Sequence, residues 1–130
     1  MSTRKLTNAG AVLTIDLGAI CDNWRTLKGR LSGAECGAVV KADAYGLGAT
    51  RVVPALYHAG CRHFFVAHLS EAIDLRPHLP ADANLYVLHG VHPGAELECV
   101  VNDLVPVLNS LAQIEAWRTL ANRLGRHLPA

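Results

Sequence analysis

A lysine stands directly after a short apolar run, in the segment Ala38-Val-Val-Lys-Ala-Asp-Ala-Tyr45. A lysine amine can condense with an aldehyde, which makes Lys41 a candidate anchor for a cofactor. Residues 38–40 are typical of a buried parallel strand, so Lys41 is expected at the strand's carboxyl end, where α/β proteins bind ligands. A lysine that simply leaves the sheet and enters water fits the same spacing.

The histidines do not form a convincing metal site. His89 and His92 are three positions apart, but they lie in a turn with Gly90, Pro93 and Gly94. A turn does not aim both rings at one ion as a helix face would, and no Cys or acidic ligand has matching spacing. We therefore expect ordinary loop histidines and no bound metal.

Four cysteines are scattered along the chain without a C-x-x-C pair. They are Cys21, Cys36, Cys61 and Cys99. Met1–Asn8 lacks the apolar stretch of a signal peptide, so we expect a cytoplasmic location and a reducing compartment. In that setting the cysteines are expected to be small buried residues, not disulfide partners.

The segment around Lys41 resembles a known family motif. Val39-Val-Lys-Ala-Asp-Ala-Tyr-Gly-Leu-Gly48 is similar to the pyridoxal-phosphate lysine motif of alanine racemases, V-V-K-A-[ND]-A-Y-G-H-G, with Leu47 in place of its histidine. Three flanking segments also resemble that family: Thr14-Ile-Asp-Leu-Gly-Ala-Ile-Cys-Asp-Asn, Val66-Ala-His-Leu-Ser-Glu-Ala and Tyr86-Val-Leu-His-Gly. The resemblance covers almost the whole chain.

The resemblance implies roles for four residues. Lys41 would bind pyridoxal 5'-phosphate covalently and take or return the α-proton of an amino acid, and Tyr45 would give its hydroxyl to the cofactor phosphate. Val39 and Leu88 would pack near the cofactor. Without the family, Tyr45 packing against the first helix is an equal alternative, and Val39 and Leu88 read as core residues. The extra His89 makes the alignment at Leu88 less secure.

The apolar pattern predicts alternating strands and helices. A half-buried strand is expected at 12–17, then a helix capped by Asp16 and ending at Ser32-Gly33, with Ile20, Trp24, Leu27 and Leu31 on its apolar face. Further strands are predicted at 38–41, 64–67, 85–88 and 104–108. The helices between them are expected after Gly48, from Ser70 to before Pro77, over 93–101, and from Ser110 to Gly125.

Four βα units suit either a small open doubly wound sheet or half of a (β/α)8 barrel. No G-x-G-x-x-G follows the first strand, which argues against a dinucleotide fold. The resemblance selects the barrel. It implies that residues 1–130 are the N-terminal part of a pyridoxal-phosphate-binding TIM barrel, with the second half-barrel and the C-terminal β-domain absent.

Composition excludes some functions. A chain of 130 residues with 51% apolar residues suits one domain, and a net charge of +1 points to neither nucleic acid nor a membrane. The resemblance implies an isomerase that interconverts L- and D-alanine for cell-wall supply, as a homodimer, with this chain inactive alone. Two alternatives stay open: a non-catalytic pyridoxal-phosphate carrier barrel, and a structural half-barrel fragment without activity.

Overall fold

Four parallel strands form one sheet in the order β1-β2-β3-β4 in the computed structural model, which describes residues 10–130. The strands are β1 (Ala38–Val39), β2 (His63–Val66), β3 (Asn84–Val87) and β4 (Val105–Pro106). Each strand pairs with its neighbour in the sequence, without the reversal of order that defines a doubly wound sheet. The predicted α/β class is confirmed, and this strand order is that of a barrel segment.

Helices connect the strands. They are α1 (Leu17–Lys28), α2 (Lys41–Tyr45), α3 (Ala49–His58), α4 (Leu69–Leu75), α5 (Glu96–Val101) and α6 (Leu111–Leu124), with a 3-10 turn at Arg76–His78 after α4. None of the helices within residues 10–130 combines the length and the apolar character needed to cross a membrane.

One face of the sheet is covered by helices and contains the core. The row Val66, Val87 and Pro106 crosses the sheet in register, and all three side chains are buried. Phe64 and Leu85 pair two positions earlier in β2 and β3, on the same face, and are fully buried as well. These residues pack with apolar side chains of the helices, including Val53, Leu56, Ala72 and Trp117.

The opposite face is open, and we call it the open face. It carries the row Val39, Phe65, Tyr86 and Val105, which pair in register across all four strands. None of these side chains is fully buried, and Val39 is 46% exposed. Phe65 and Tyr86 stack with ring centroids 4.6 Å apart. Helices on one face and an uncovered apolar face opposite are what half of a closed barrel requires.

The predicted strand at 12–17 is wrong. Residues 11–16 have no regular structure, and Val12 and Leu13 are 57% and 79% exposed. Alternating residues form a strand only where another strand accepts their backbone hydrogen bonds, and no strand within residues 10–130 does so here. The polar composition of residues 1–11 predicts a frayed start to the chain, and this segment lies almost entirely outside the described residues.

Helix starts and ends differ from the predictions in three places, and the first is α5, which begins at Glu96 and not at residue 93. Asp16 caps α1 as predicted, accepting from the Ala19 amide at 3.0 Å, but the helix ends at Lys28, before Leu31. Ser70 lies inside α4, whose N-cap is His68. Pro106 is tolerated as expected, because β4 is an edge strand of this sheet.

Candidate active site

Lys41 lies where β1 ends. The Val40 amide still donates to the Phe65 carbonyl at 2.8 Å, so the pairing with β2 continues up to the residue before the lysine. Val40 itself has φ −127° and ψ 21°, which turns the chain out of the sheet. Lys41 is half-buried and begins α2 at the carboxyl end of the strand, as predicted.

The backbone after Lys41 is left-handed, and we call Lys41–Tyr45 the lysine turn. Ala42, Asp43, Ala44 and Tyr45 all have φ between 51° and 57°. A run of left-handed L-residues costs roughly 1–2 kcal/mol per residue relative to the right-handed form. Such a turn persists only where its surroundings hold it, and such strain is concentrated at functional sites.

Three contacts hold the lysine turn. The Ala44 amide donates to the Val40 carbonyl at 2.9 Å, and the Asp43 carboxylate accepts from the Ala49 amide at 2.7 Å at the start of α3. The third contact comes from α4, where Oε1 of Glu71 accepts from the Ala42 amide at 2.7 Å. The turn is therefore attached to β1, to α3 and to α4.

Glu71 uses both carboxylate oxygens. While Oε1 accepts from Ala42, Oε2 accepts from the amides of Ala67 at 2.8 Å and His68 at 3.0 Å, at the end of β2. Partial burial raises the pKa of the Glu71 carboxyl, but the hydrogen bonds from His68, Ala42 and Ala67 outweigh it and hold the pKa below its ordinary value. Glu71 is therefore the ionised acceptor that joins the lysine turn to the end of β2.

Val39 and Leu88 lie on the open face. Val39 belongs to its central row, and Leu88 follows Tyr86 by two positions at the end of β3. The Leu88 amide donates to the Val66 carbonyl at 2.9 Å, so the ladder extends past the last residue of β3. Val39 is therefore not part of the core that residues 10–130 form.

Tyr45 ends the lysine turn. Its side chain is 63% exposed and does not belong to the core. Gly46 follows with φ 82°, the left-handed conformation that ends the turn. Tyr45 thus presents its phenol to solvent four residues after Lys41, at the same end of the sheet.

Asn109 and Gln113 fix the loop after Leu88, and neither is among the predicted site residues. Asn109 donates to the carbonyls of Leu88 and Val107 at 2.7 and 2.8 Å. Gln113 donates to the carbonyl of His89 at 3.0 Å and accepts from the Asn109 amide at 2.7 Å. In the sequence, Ser110-x-x-Gln113 fits a capping box, and that local pattern gave no sign of the contact between Gln113 and this loop.

A concavity of about 520 Å³ lies on the open face, lined in part by Phe65, Tyr86 and Val107. A smaller cavity of about 160 Å³ lies behind the lysine turn, between Asp43, Glu71 and the start of α3. A larger concavity of about 600 Å³ separates α5 from α6 on the outer surface. None of these three spaces is lined by Lys41, Tyr45, Val39 or Leu88.

The cysteines have no part in this site. Cys21, Cys61 and Cys99 are buried, Cys36 is half-buried, and all four are free thiols. Burial raises the pKa of the Cys99 thiol to about 12, so it stays protonated and unreactive at neutral pH.

Comparisons with known proteins agree on one family. The profile described as "Alanine racemase, N-terminal domain" matches residues 15–130. Alanine racemases from Brucella ovis and Rhodospirillum rubrum are 57% and 56% identical to this chain, and each match covers 94% of its length. The chain spans about a third of their length, 31% and 33% respectively.

Solved structures show the same likeness. An alanine racemase from Bartonella henselae, described with covalently bound pyridoxal phosphate, has a TM-score of 0.84 and 46% identity over 86% of this chain and 33% of its own. An alanine racemase from Streptomyces coelicolor A3(2) has a TM-score of 0.76 and 35% identity over 85% of this chain and 30% of its own. The chain therefore belongs to the alanine racemase N-terminal domain family, and its fold is the first half of that family's TIM barrel.

Proposed function

We propose that this chain is the N-terminal part of a pyridoxal-phosphate-dependent alanine racemase and that Lys41 anchors the cofactor. The observation that carries the proposal is the position of Lys41 at the carboxyl end of β1, in a strained turn held by three elements. In the full protein, a second half-barrel and a C-terminal β-domain complete the site, and two copies associate as a homodimer. The 130-residue chain is inactive alone. A cytoplasmic location stays a prediction.

The donor set fits the cofactor. A primary amine and a phenol four residues apart, beside an uncovered apolar face, can supply a covalent anchor, a phosphate ligand and apolar contacts for a ring. Lys41 would hold the cofactor covalently and Tyr45 would donate a hydrogen bond to its phosphate. Val39 and Leu88 would contact the ring and exclude water from that side. Bound pyridoxal phosphate would supply the electron withdrawal that makes the α-proton of an amino acid removable.

The chemistry of this chain is then a proton transfer by Lys41. The Lys41 amine would take or return the α-proton on one face of the amino acid. Inversion needs a second acid/base on the opposite face, which we assign to a residue of the full protein outside this chain. L-alanine and D-alanine are the proposed substrates.

The test is borohydride reduction of the full-length protein that contains this chain, followed by peptide mass mapping. We expect the cofactor label on Lys41, and we expect Lys41→Ala to abolish both the cofactor absorbance and racemisation. Lys28→Ala is the matched control, because Lys28 lies over the Trp24 ring, 5.0 Å from its centroid, outside the site.

Three other results contradict the proposal. Label on a different lysine, or on none, would exclude Lys41 as the anchor. Label on Lys41 without racemisation of any amino acid by the full-length protein would favour the carrier barrel. Cofactor binding and racemisation by the isolated chain would refute its inactivity.

A further inference from the structure

Glu71 makes a side-chain hydrogen bond that joins α4 to the lysine turn, across 29 positions of sequence. The amide that it accepts from belongs to Ala42, the residue bonded directly to the carbonyl of Lys41. Fixing that peptide plane fixes the direction in which the backbone leaves Lys41. The orientation of the lysine is therefore coupled to the position of the Glu71 carboxylate.

The other carboxylate oxygen is held at the end of β2. Since Oε2 accepts from two consecutive amides, Ala67 and His68, the carboxylate cannot shift without breaking bonds to the two residues that follow β2. Amide-to-carboxylate hydrogen bonds are charge-assisted and stronger than neutral ones. Glu71 thus connects the lysine turn to the segment that follows β2.

We infer that Glu71 is a positioning residue for the reaction: it holds the peptide after Lys41 so that the lysine amine reaches the α-hydrogen of the substrate. The inference rests on the proposed role of Lys41. Glu71 touches neither substrate nor cofactor and acts through the backbone of the lysine turn.

Chemistry distinguishes the carboxylate from its nearest isostere. Glutamine has one acceptor oxygen and one donor NH2 group, so Glu71→Gln sets a donor against the amide of Ala42 or against the pair Ala67 and His68. Either arrangement leaves an amide facing another donor. Glu71→Asp keeps the charge but is one methylene shorter, so its carboxylate cannot span both sites.

The experiment compares the full-length wild type with Glu71→Gln and Glu71→Asp. We expect Glu71→Gln to keep the borohydride label on Lys41 and to lower kcat roughly 10- to 100-fold with a smaller change in KM, as displaced catalytic groups do. With α-deuterated alanine, the kinetic isotope effect should rise for the enantiomer whose hydrogen Lys41 removes and stay unchanged for the other. Amide hydrogen exchange should accelerate in the peptide over 38–48.

Glu115→Gln is the matched control, since Glu115 is an exposed carboxylate paired with Arg118 on α6. It should leave the rate, the isotope effects and the exchange of 38–48 unchanged. Glu71→Asp should fall between the wild type and Glu71→Gln.

Four outcomes separate the possibilities. A wild-type label away from Lys41 overturns the proposed function and this inference with it. Label on Lys41 with wild-type rates in folded Glu71→Gln overturns this inference alone. If the rate falls only as far as the folded fraction falls, and the isotope effects are unchanged, Glu71 has a purely structural role. That result also overturns this inference. If Glu71→Gln does not fold, Glu71→Asp is judged by the same readouts, and loss of folding in both variants assigns Glu71 to folding alone.

Discussion

Glu71 lies in the first turn of α4, where an acid favours the positive end of the helix, but its larger role lies in three hydrogen bonds outside that helix's interior. It accepts from Ala42, Ala67 and His68 with one carboxylate. Spacing along α4 could not reveal a partner 29 positions earlier in the chain. The pattern that did hint at it is the acid three residues after the N-cap, but His68 is not a usual capping residue.

The pH dependence of stability follows from Glu71. Its pKa in the folded protein lies below the ordinary value of 4.5, so its ionised form stabilises the fold above that pH, and this contribution is lost as the pH falls through the lower folded pKa. The difference in free energy of unfolding between wild type and Glu71→Gln should be constant above about pH 5 and shrink in more acidic solution. Denaturant unfolding of both proteins over a pH series measures it; a difference that grows on acidification contradicts the assignment.

Gly90 should be the least replaceable glycine of the site. Its φ is 68°, and an added Cβ would lie 2.7 Å from Gln113 and 2.8 Å from the Val107 carbonyl. Gly90→Ala should lower the free energy of unfolding by about 1–3 kcal/mol through overpacking and backbone strain.

Gly94→Ala is the control for Gly90. It has a positive φ of 92° but no atom within 4 Å of the added Cβ, so it meets backbone strain alone. Chemical denaturation compares the two variants. Equal losses would show that the contact with Gln113 and Val107 is unimportant.

The sequence predicted the four strands of the sheet and the order of the helices, because apolar runs and helix caps are local signals. The lysine turn could not be predicted, since Ala42-Asp-Ala-Tyr45 contains no glycine to signal four left-handed residues. The strand at 12–17 failed for the opposite reason: its pattern was right, but a strand needs a partner. At the site, the motif indicated Lys41, whereas Asn109 and Gln113 depend on tertiary contacts.

The different positions of Ser70 in α4 and Ser110 at the start of α6 can be tested by substitution. Ser110 caps α6 by accepting from the Gln113 amide at 3.2 Å, whereas Ser70 lies inside α4 and caps nothing. Ser110→Ala should cost about 1 kcal/mol of stability, and Ser70→Ala less than about 0.5 kcal/mol. Thermal or denaturant unfolding ranks the two variants. A larger loss for Ser70→Ala than for Ser110→Ala would favour the predicted helix start at Ser70.

At the scale of the whole molecule, the two faces of the sheet differ in what covers them. Val66 is 1% exposed under the helices, whereas Val39 is 46% exposed on the open face. In the proposed full protein, the remaining strands would close the barrel over Val39, Phe65 and Tyr86. The same substitution should therefore have different effects in the chain alone and in the full protein.

Val66→Ala should destabilise the 130-residue chain by about 1–3 kcal/mol, and Val39→Ala by less than about 0.5 kcal/mol. In the full-length protein Val39→Ala should cost distinctly more, because its methyl groups are then enclosed. Denaturant unfolding of both lengths provides the comparison. An equal, small effect of Val39→Ala in both would mean that nothing encloses this face.

The bond between Ala42 and Glu71 also dictates an order of events during synthesis. A ribosome adding about 5–20 residues per second delivers the lysine segment one to several seconds before the glutamate that secures it. In that interval the Ala42 amide beside Lys41 does not yet have the Glu71 carboxylate as its acceptor. The nascent polypeptide thus carries Lys41 before the carboxylate that orients it, so Lys41 should reach its position for proton transfer only after the second βα unit has emerged.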